Sequence, residues 1–157
     1  MSETARLADQ IRRAFDGDAW HGDSVVELLQ GVDAKMAAAH PIKNAHSIWE
    51  LILHIAAWDA AVVTRMGGTA VQPTSEENFP PVKDTSEAAW DKAIEHAKQT
   101  HNELVNAVAA FPDSRLQEQV PGKTESYYNF FYLFSGIVQH ELYHAGQIAL
   151  LKKAAAR

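Results

Sequence analysis

Near the C-terminus, His140-Glu141-Leu142-Tyr143-His144 sets two imidazoles one helical turn apart, with a carboxylate beside the first. H-E-x-x-H at this spacing grips zinc in metalloproteases, where the glutamate is the general base. Such a site needs a third protein ligand. Zinc proteases usually supply it downstream, as a Glu on a following helix or as the last His of H-E-x-x-H-x-x-G-x-x-H. After His144 the chain reads AGQIALLKKAAAR, without Asp, Glu or His. Any third ligand must come from upstream, and the protease reading fails.

The two histidines interrupt an otherwise apolar stripe, Leu133, Ile137, His140, His144, Ile148, Leu151, whose spacing of three and four traces one helix face. Burying a polar group without partners costs ~1–3 kcal/mol by protein mutational data. One such histidine would read as a core residue bonded to a neighbour. A pair at i, i+4 favours a metal. His54, in WELILHIAAWD, is the best upstream donor, because Leu51, His54, Trp58 and Ala61 share a face in the same way. Three neutral imidazoles suit Zn or Ni first, with Fe, Mn or Cu also compatible, and they leave positions open for water or substrate.

Other side chains are weighed around this triad. Glu141 projects about 100° round the helix from His140, so a surface or inter-helix contact is expected, with a catalytic role left open. It also begins E-x-x-H, but a di-iron bundle needs that motif on two helices, and no second copy occurs. Gln147, one turn beyond His144, is placed to hydrogen-bond a ligand imidazole or bound water, and is the second candidate for a catalytic role. Trp58, Tyr127, Tyr128 and Tyr143 are pocket candidates, with packing as the plain alternative. Trp20, Trp49 and Phe79 read as packing. His21, in AWHGDS, is kept as a reserve residue in a segment that can fold over a bundle end. His40 and His46 fall in a loop and beside a helix cap, and His96 and His101 are expected to face solvent.

These residues must be held by helices. Long helical segments run from about Glu3 to Phe15, from the capping box Ser47–Glu50 to Gly67-Gly68, from Thr85-Ser86-Glu87 to Phe111-Pro112, and from about Ser126 to Lys153. A short helix is expected at Ser24–Gln30, where Ser24 and Glu27 have capping-box spacing and Gly31 can end it. Gln72–Asp84 and Asp113–Glu125 are Pro-containing linkers. Four amphipathic helices in 157 residues predict one all-α domain, a four-helix bundle whose long connections permit non-sequential neighbours.

Composition excludes further classes. The net charge is −6 with no basic block, which argues against nucleic-acid binding. With no cysteine, disulfides, thiolate metal sites and cysteine nucleophiles are ruled out. MSETARLADQIRR lacks the apolar core of a signal peptide, and Ile48–Val63 is broken by Glu50, His54 and Asp59, so a cytoplasmic protein without a membrane span is expected.

Three blocks, WHGDS, AHSIWELILHIAAW and HELYHAGQIALLKK, together resemble the DinB/YfiT-like superfamily of small bacterial proteins, over nearly the whole chain. The resemblance implies a four-helix bundle, commonly a homodimer, with a divalent metal held by His54, His140 and His144. Characterised relatives include thiol-dependent S-transferases and a thiol-dependent isomerase, and many others are labelled metal-dependent hydrolases. The expectation is therefore an enzyme that activates a small-molecule thiol or water on its metal. The competing reading is a non-catalytic bundle that binds metal or a small ligand.

Overall fold

The computed structural model describes residues 1–156. Its helices are α1 (Glu3–Asp16), α2 (Val25–Leu28), α3 (Ala34–Ala38), α4 (Ile48–Met66), α5 (Ser75–Asn78), α6 (Glu87–Ala110) and α7 (Phe130–Ala155), with a 3-10 turn at Asp113–Arg115. No helix is long and apolar enough to cross a membrane.

Local chemistry sets the boundaries. In α4 the Ser47 hydroxyl accepts from Glu50 N–H (3.2 Å), while the Glu50 carboxylate accepts from Ser47 N–H (2.8 Å). Ser24 and Glu27 do the same for α2. These reciprocal bonds satisfy backbone donors that a helix start leaves open. The last helix starts later than its sequence suggests. Gln119 and Asn129 form an isolated antiparallel bridge, and Val120 N–H donates to Tyr128 O at 3.0 Å. The backbone of Ser126–Tyr128 is thereby held in a turn, and Asn129 caps α7 instead.

The four long helices form a ring in which α6 and α7 each lie between α1 and α4. Chain neighbours α4 and α6 run parallel, as Trp49 against Trp90 at one level and Asp59 against His101 at another show. Parallel packing obliges the chain to travel back along α4, about 28 Å for its 19 residues. The α4–α6 crossover does this, and it carries α5 past the middle of α4.

Two apolar clusters fill the interior. One gathers Phe15, Ile52, Ile55, Trp90, Ala97 and Ile148, and the other Ile11, Val62, Leu104, Phe134 and Ile137. Between their levels lie Asp59, His101 and Glu141, all fully buried. His101 therefore does not face solvent as its sequence spacing suggests. Its ring stacks on Phe15 (centroids 4.2 Å apart), and its Nδ1–H donates to Asp59 Oδ2 at 3.1 Å. Phe15 and Asp59 lie on α1 and α4, so this face of α6 turns to the bundle axis. Trp20, expected to pack, is fully exposed.

Candidate metal centre

His54 lies in the second turn of α4, and His140 and His144 lie mid-way along α7, so antiparallel packing of the two helices brings the three rings together. His140 Nε2 is 2.9 Å from His54 Nε2 and 3.1 Å from His144 Nε2. Nitrogens bound about 2.1 Å from one ion sit roughly 3.0 Å apart at right angles and roughly 3.4 Å apart in a tetrahedron. The three rings are therefore gathered to about the spacing an ion requires, slightly closer than a tetrahedral site.

The ring protons point the same way. His54 Nδ1–H donates to the Asn78 carbonyl at 2.7 Å, and His144 Nδ1–H donates to Gln147 Oε1 at 2.6 Å. Both rings therefore turn a bare Nε2 lone pair toward His140. A single Nε2–H on His140 would serve two acceptors and leave its Nδ1 as an acceptor, and that atom is buried without a partner. Burial lowers the pKa of all three rings, aided in each by neighbouring imidazoles and opposed at His54 and His144 by the hydrogen bonds to Asn78 and Gln147. His140 falls to about 3. Neutral imidazoles with convergent lone pairs suit a cation better than one another.

The crossover supplies a residue that the sequence reading passed over. Asn78, at the end of α5, gives its carbonyl to His54 and its side-chain oxygen to the Trp58 indole N–H (2.8 Å). Its signal was present, since Thr74 and Glu77 form a third capping box immediately before it. Phe79 follows, stacked between His46 and His54 at centroid distances of 3.8 and 4.1 Å.

Beside His140 opens a cavity of about 450 Å³ between α4 and α7, walled by Trp58, Val62, Arg65, Tyr128, Tyr132, Leu133, Ile137 and Tyr143 among others. Tyr143 also meets His144 edge-on at 5.1 Å. Tyr127 is not part of this wall. It packs outside, against Tyr132, because the turn before Asn129 keeps it off the helix. His21 is also elsewhere, exposed in a groove between α1 and α7 with Trp20 and Leu142.

Glu141 makes the inter-helix contact. Its Oε1 lies 3.3 Å from His101 Nδ1, and neither residue is exposed. Burial raises the Glu141 pKa to about 8, with the nearby His101 imidazole opposing the rise and the Asp59 charge reinforcing it. Burial also raises Asp59. For His101, burial acts downward, but the hydrogen bond to Asp59 and the proximity of both carboxylates outweigh it and hold the ring at about 9. At neutral pH His101 is thus the internal cation of a closed polar node.

The profile of the DinB superfamily matches residues 19–148, a span that contains all three histidines. No curated protein and no solved structure matches the chain. With the bundle, the match over most of its length and the histidines of α4 and α7 in one place, the chain belongs to the DinB superfamily.

Proposed function

We propose that His54, His140 and His144 hold one divalent metal ion, Zn or Ni, through Nε2, and that the centre serves an enzyme acting on a small molecule. The observation that carries this reading is the fixed pair of tautomers. Asn78 and Gln147 take the Nδ1 protons of His54 and His144, so that both lone pairs meet at His140. When bound, such an ion favours deprotonation of a coordinated thiol or water near neutral pH, which serves S-transfer or hydrolysis.

The chain's own residues supply the rest. Trp58, Val62, Leu133 and Ile137 make the adjoining wall apolar, which shields a reacting group from bulk water. With no cysteine in the chain, a thiol would arrive as a small-molecule cosubstrate. The absence of a basic block leaves nucleic acid without a footprint.

Metal content by plasma mass spectrometry, on tag-free wild type and on H54A and H144A, tests the centre. About one Zn or Ni per chain, lost in both variants, is expected. Folded wild type that stays empty after incubation with Zn, Ni and Mn would make the histidines structural. Thiol-dependent consumption of an electrophile, absent in H54A, would then favour S-transfer over hydrolysis.

A further inference from the structure

The cavity beside His140 offers a ligand no permanent charge to pair with. Its walls include no Asp, Glu or Lys. Arg65, their one permanent cation, is 1% exposed, gives Nε and Nη2 to the Val71 carbonyl and keeps Nη1 buried. What the walls carry instead is aromatic surface. Trp58 arrives from α4 with its ring centroid 6.0 Å from that of His140, and its indole N–H is already bonded to Asn78. Tyr128 and Tyr132 meet edge-on at 5.0 Å. Tyr143 joins the same wall about three turns further along α7.

Between Tyr132 and Tyr143 the α7 wall is opened by a glycine. Gly136 lies three or four residues from Tyr132, Leu133, Gln139 and His140, all of which line the cavity, so it shares their helix face. A Cβ built at Gly136 would meet no atom within 4 Å. Glycine weakens a helix interior relative to alanine. Nothing inside the chain crowds this position, so internal packing does not call for glycine there. The consequence of having it is a gap in the aromatic wall, floored by helix backbone and one turn from His140.

We infer that this cavity seats an uncharged aromatic ring over Gly136, between Trp58 and the tyrosines, and that the substrate of the proposed centre carries such a ring. Aromatic pairs in offset or edge-on arrangement gain roughly two- to twelvefold in binding beyond the area they bury. A saturated ring of the same size covers similar surface without that gain. A charged group would leave water for a wall with no counter-ion within reach. At about 450 Å³ the cavity has the size of a small-molecule site. The inference deepens the proposed function by naming its substrate class, and it rests on that reading only in making the ring part of a substrate.

Benzyl alcohol, its saturated match cyclohexylmethanol and the charged benzoate are the probes. Each is titrated into the full chain at pH 7, with and without zinc, while the Trp58 indole N–H resonance is followed. Without zinc, saturable binding of benzyl alcohol roughly fivefold tighter than of either other probe is expected. Gly136→Leu fills the gap from a position with open space, and should weaken that binding roughly tenfold while the chain stays folded. The double variant Y132L/Y143L keeps the wall apolar and should bring the ring and its saturated match to within about twofold of each other. Equal binding of those two by wild type, tighter binding of benzoate without zinc, no saturable shift with any probe, or wild-type binding by Gly136→Leu would overturn the inference. Should Gly136→Leu fail to fold, the wild-type comparison and the double variant decide. The zinc-free arm reads the ring site whether or not the histidines take metal, so failure of the metal reading is seen separately.

Discussion

Replacing His101 with Leu tests whether the buried node is held together by its imidazolium. In the wild type, Asp59 and Glu141 are buried with His101 between them. Leucine removes the cation and leaves two carboxylates with ligand oxygens less than 4.8 Å apart. Glu141 is already protonated at neutral pH, and without the imidazolium the fully buried Asp59 carboxylate has no counter-charge, so it takes a proton as well. Protonating a carboxyl of pKa 3.8 at pH 7 costs about 4 kcal/mol, at 1.36 kcal/mol per pH unit. Leucine recovers part of this through apolar packing against Phe15, so a net loss of about 3 kcal/mol is expected.

Urea unfolding of wild type and H101L at pH 7 measures that loss, and the pH dependence checks its origin. The folded-state pKa of His101, about 9, is above its usual 6.5. Its contribution is therefore complete below pH 6.5 and disappears as pH rises through 9. The magnitude is about 3 kcal/mol for a shift of 2.5 units. Glu141 and Asp59 are also raised, so folding takes up protons at all three groups and each acts in the same direction. Wild-type stability should fall from pH 6.5 to 9, and the gap to H101L should narrow toward pH 5, where protonating Asp59 costs little. A loss under 1 kcal/mol at pH 7, or wild-type stability that rises over that interval, would refute the reasoning.

Removing the partner of His144 with Q147A should weaken divalent-ion affinity by about 10- to 100-fold, read by competition with a chromophoric chelator. Unchanged affinity would mean that Gln147 does not set the tautomer. E141Q should leave that affinity within about threefold of wild type, because the side chain faces His101 and not the ring nitrogens. A fall comparable to that of H144A would place Glu141 at the ion. G122A should destabilise by about 1–3 kcal/mol in urea, since Gly122 has φ +79° and an added Cβ would come 2.7 Å from Ala70 Cβ. Wild-type stability in that variant would show that the contact between the two linkers is loose.

The periodic helices and their caps were legible because they depend on neighbours a turn away. Ser47 with Glu50, and the stripe from Leu133 to Leu151, carry their structural meaning in local spacing. The three histidines were legible for the same reason, each being an imidazole in an apolar row. What spacing does not carry is what a helix meets across the bundle. His101 and His96 cannot share a face well at five apart, and nothing local says that one is fully buried while the other is exposed. That follows from Asp59 and Glu141 arriving from α4 and α7. Asn78 escaped for a related reason. Its capping box was readable, but its contact with His54 exists only because parallel packing of α4 and α6 sends the crossover back along α4.

The same topology places the letters of H-E-x-x-H differently from those of a zinc protease. On α7, His140 and His144 differ by one turn and face α4, while Glu141 is rotated about 100° toward the bundle axis. In a site that hydrolyses peptides, that glutamate must reach the water at the metal. Here the axis is already occupied by His101, whose Nδ1 lies 3.3 Å from Glu141 Oε1 in a position closed to water. A base cannot be drawn from a carboxyl that is enclosed on every side. Proton acceptance in any reaction at the histidines must then fall to the substrate, to bound solvent or to groups on the cavity side. The motif's first and last letters thus serve the candidate centre, and its second letter secures the helix that carries them.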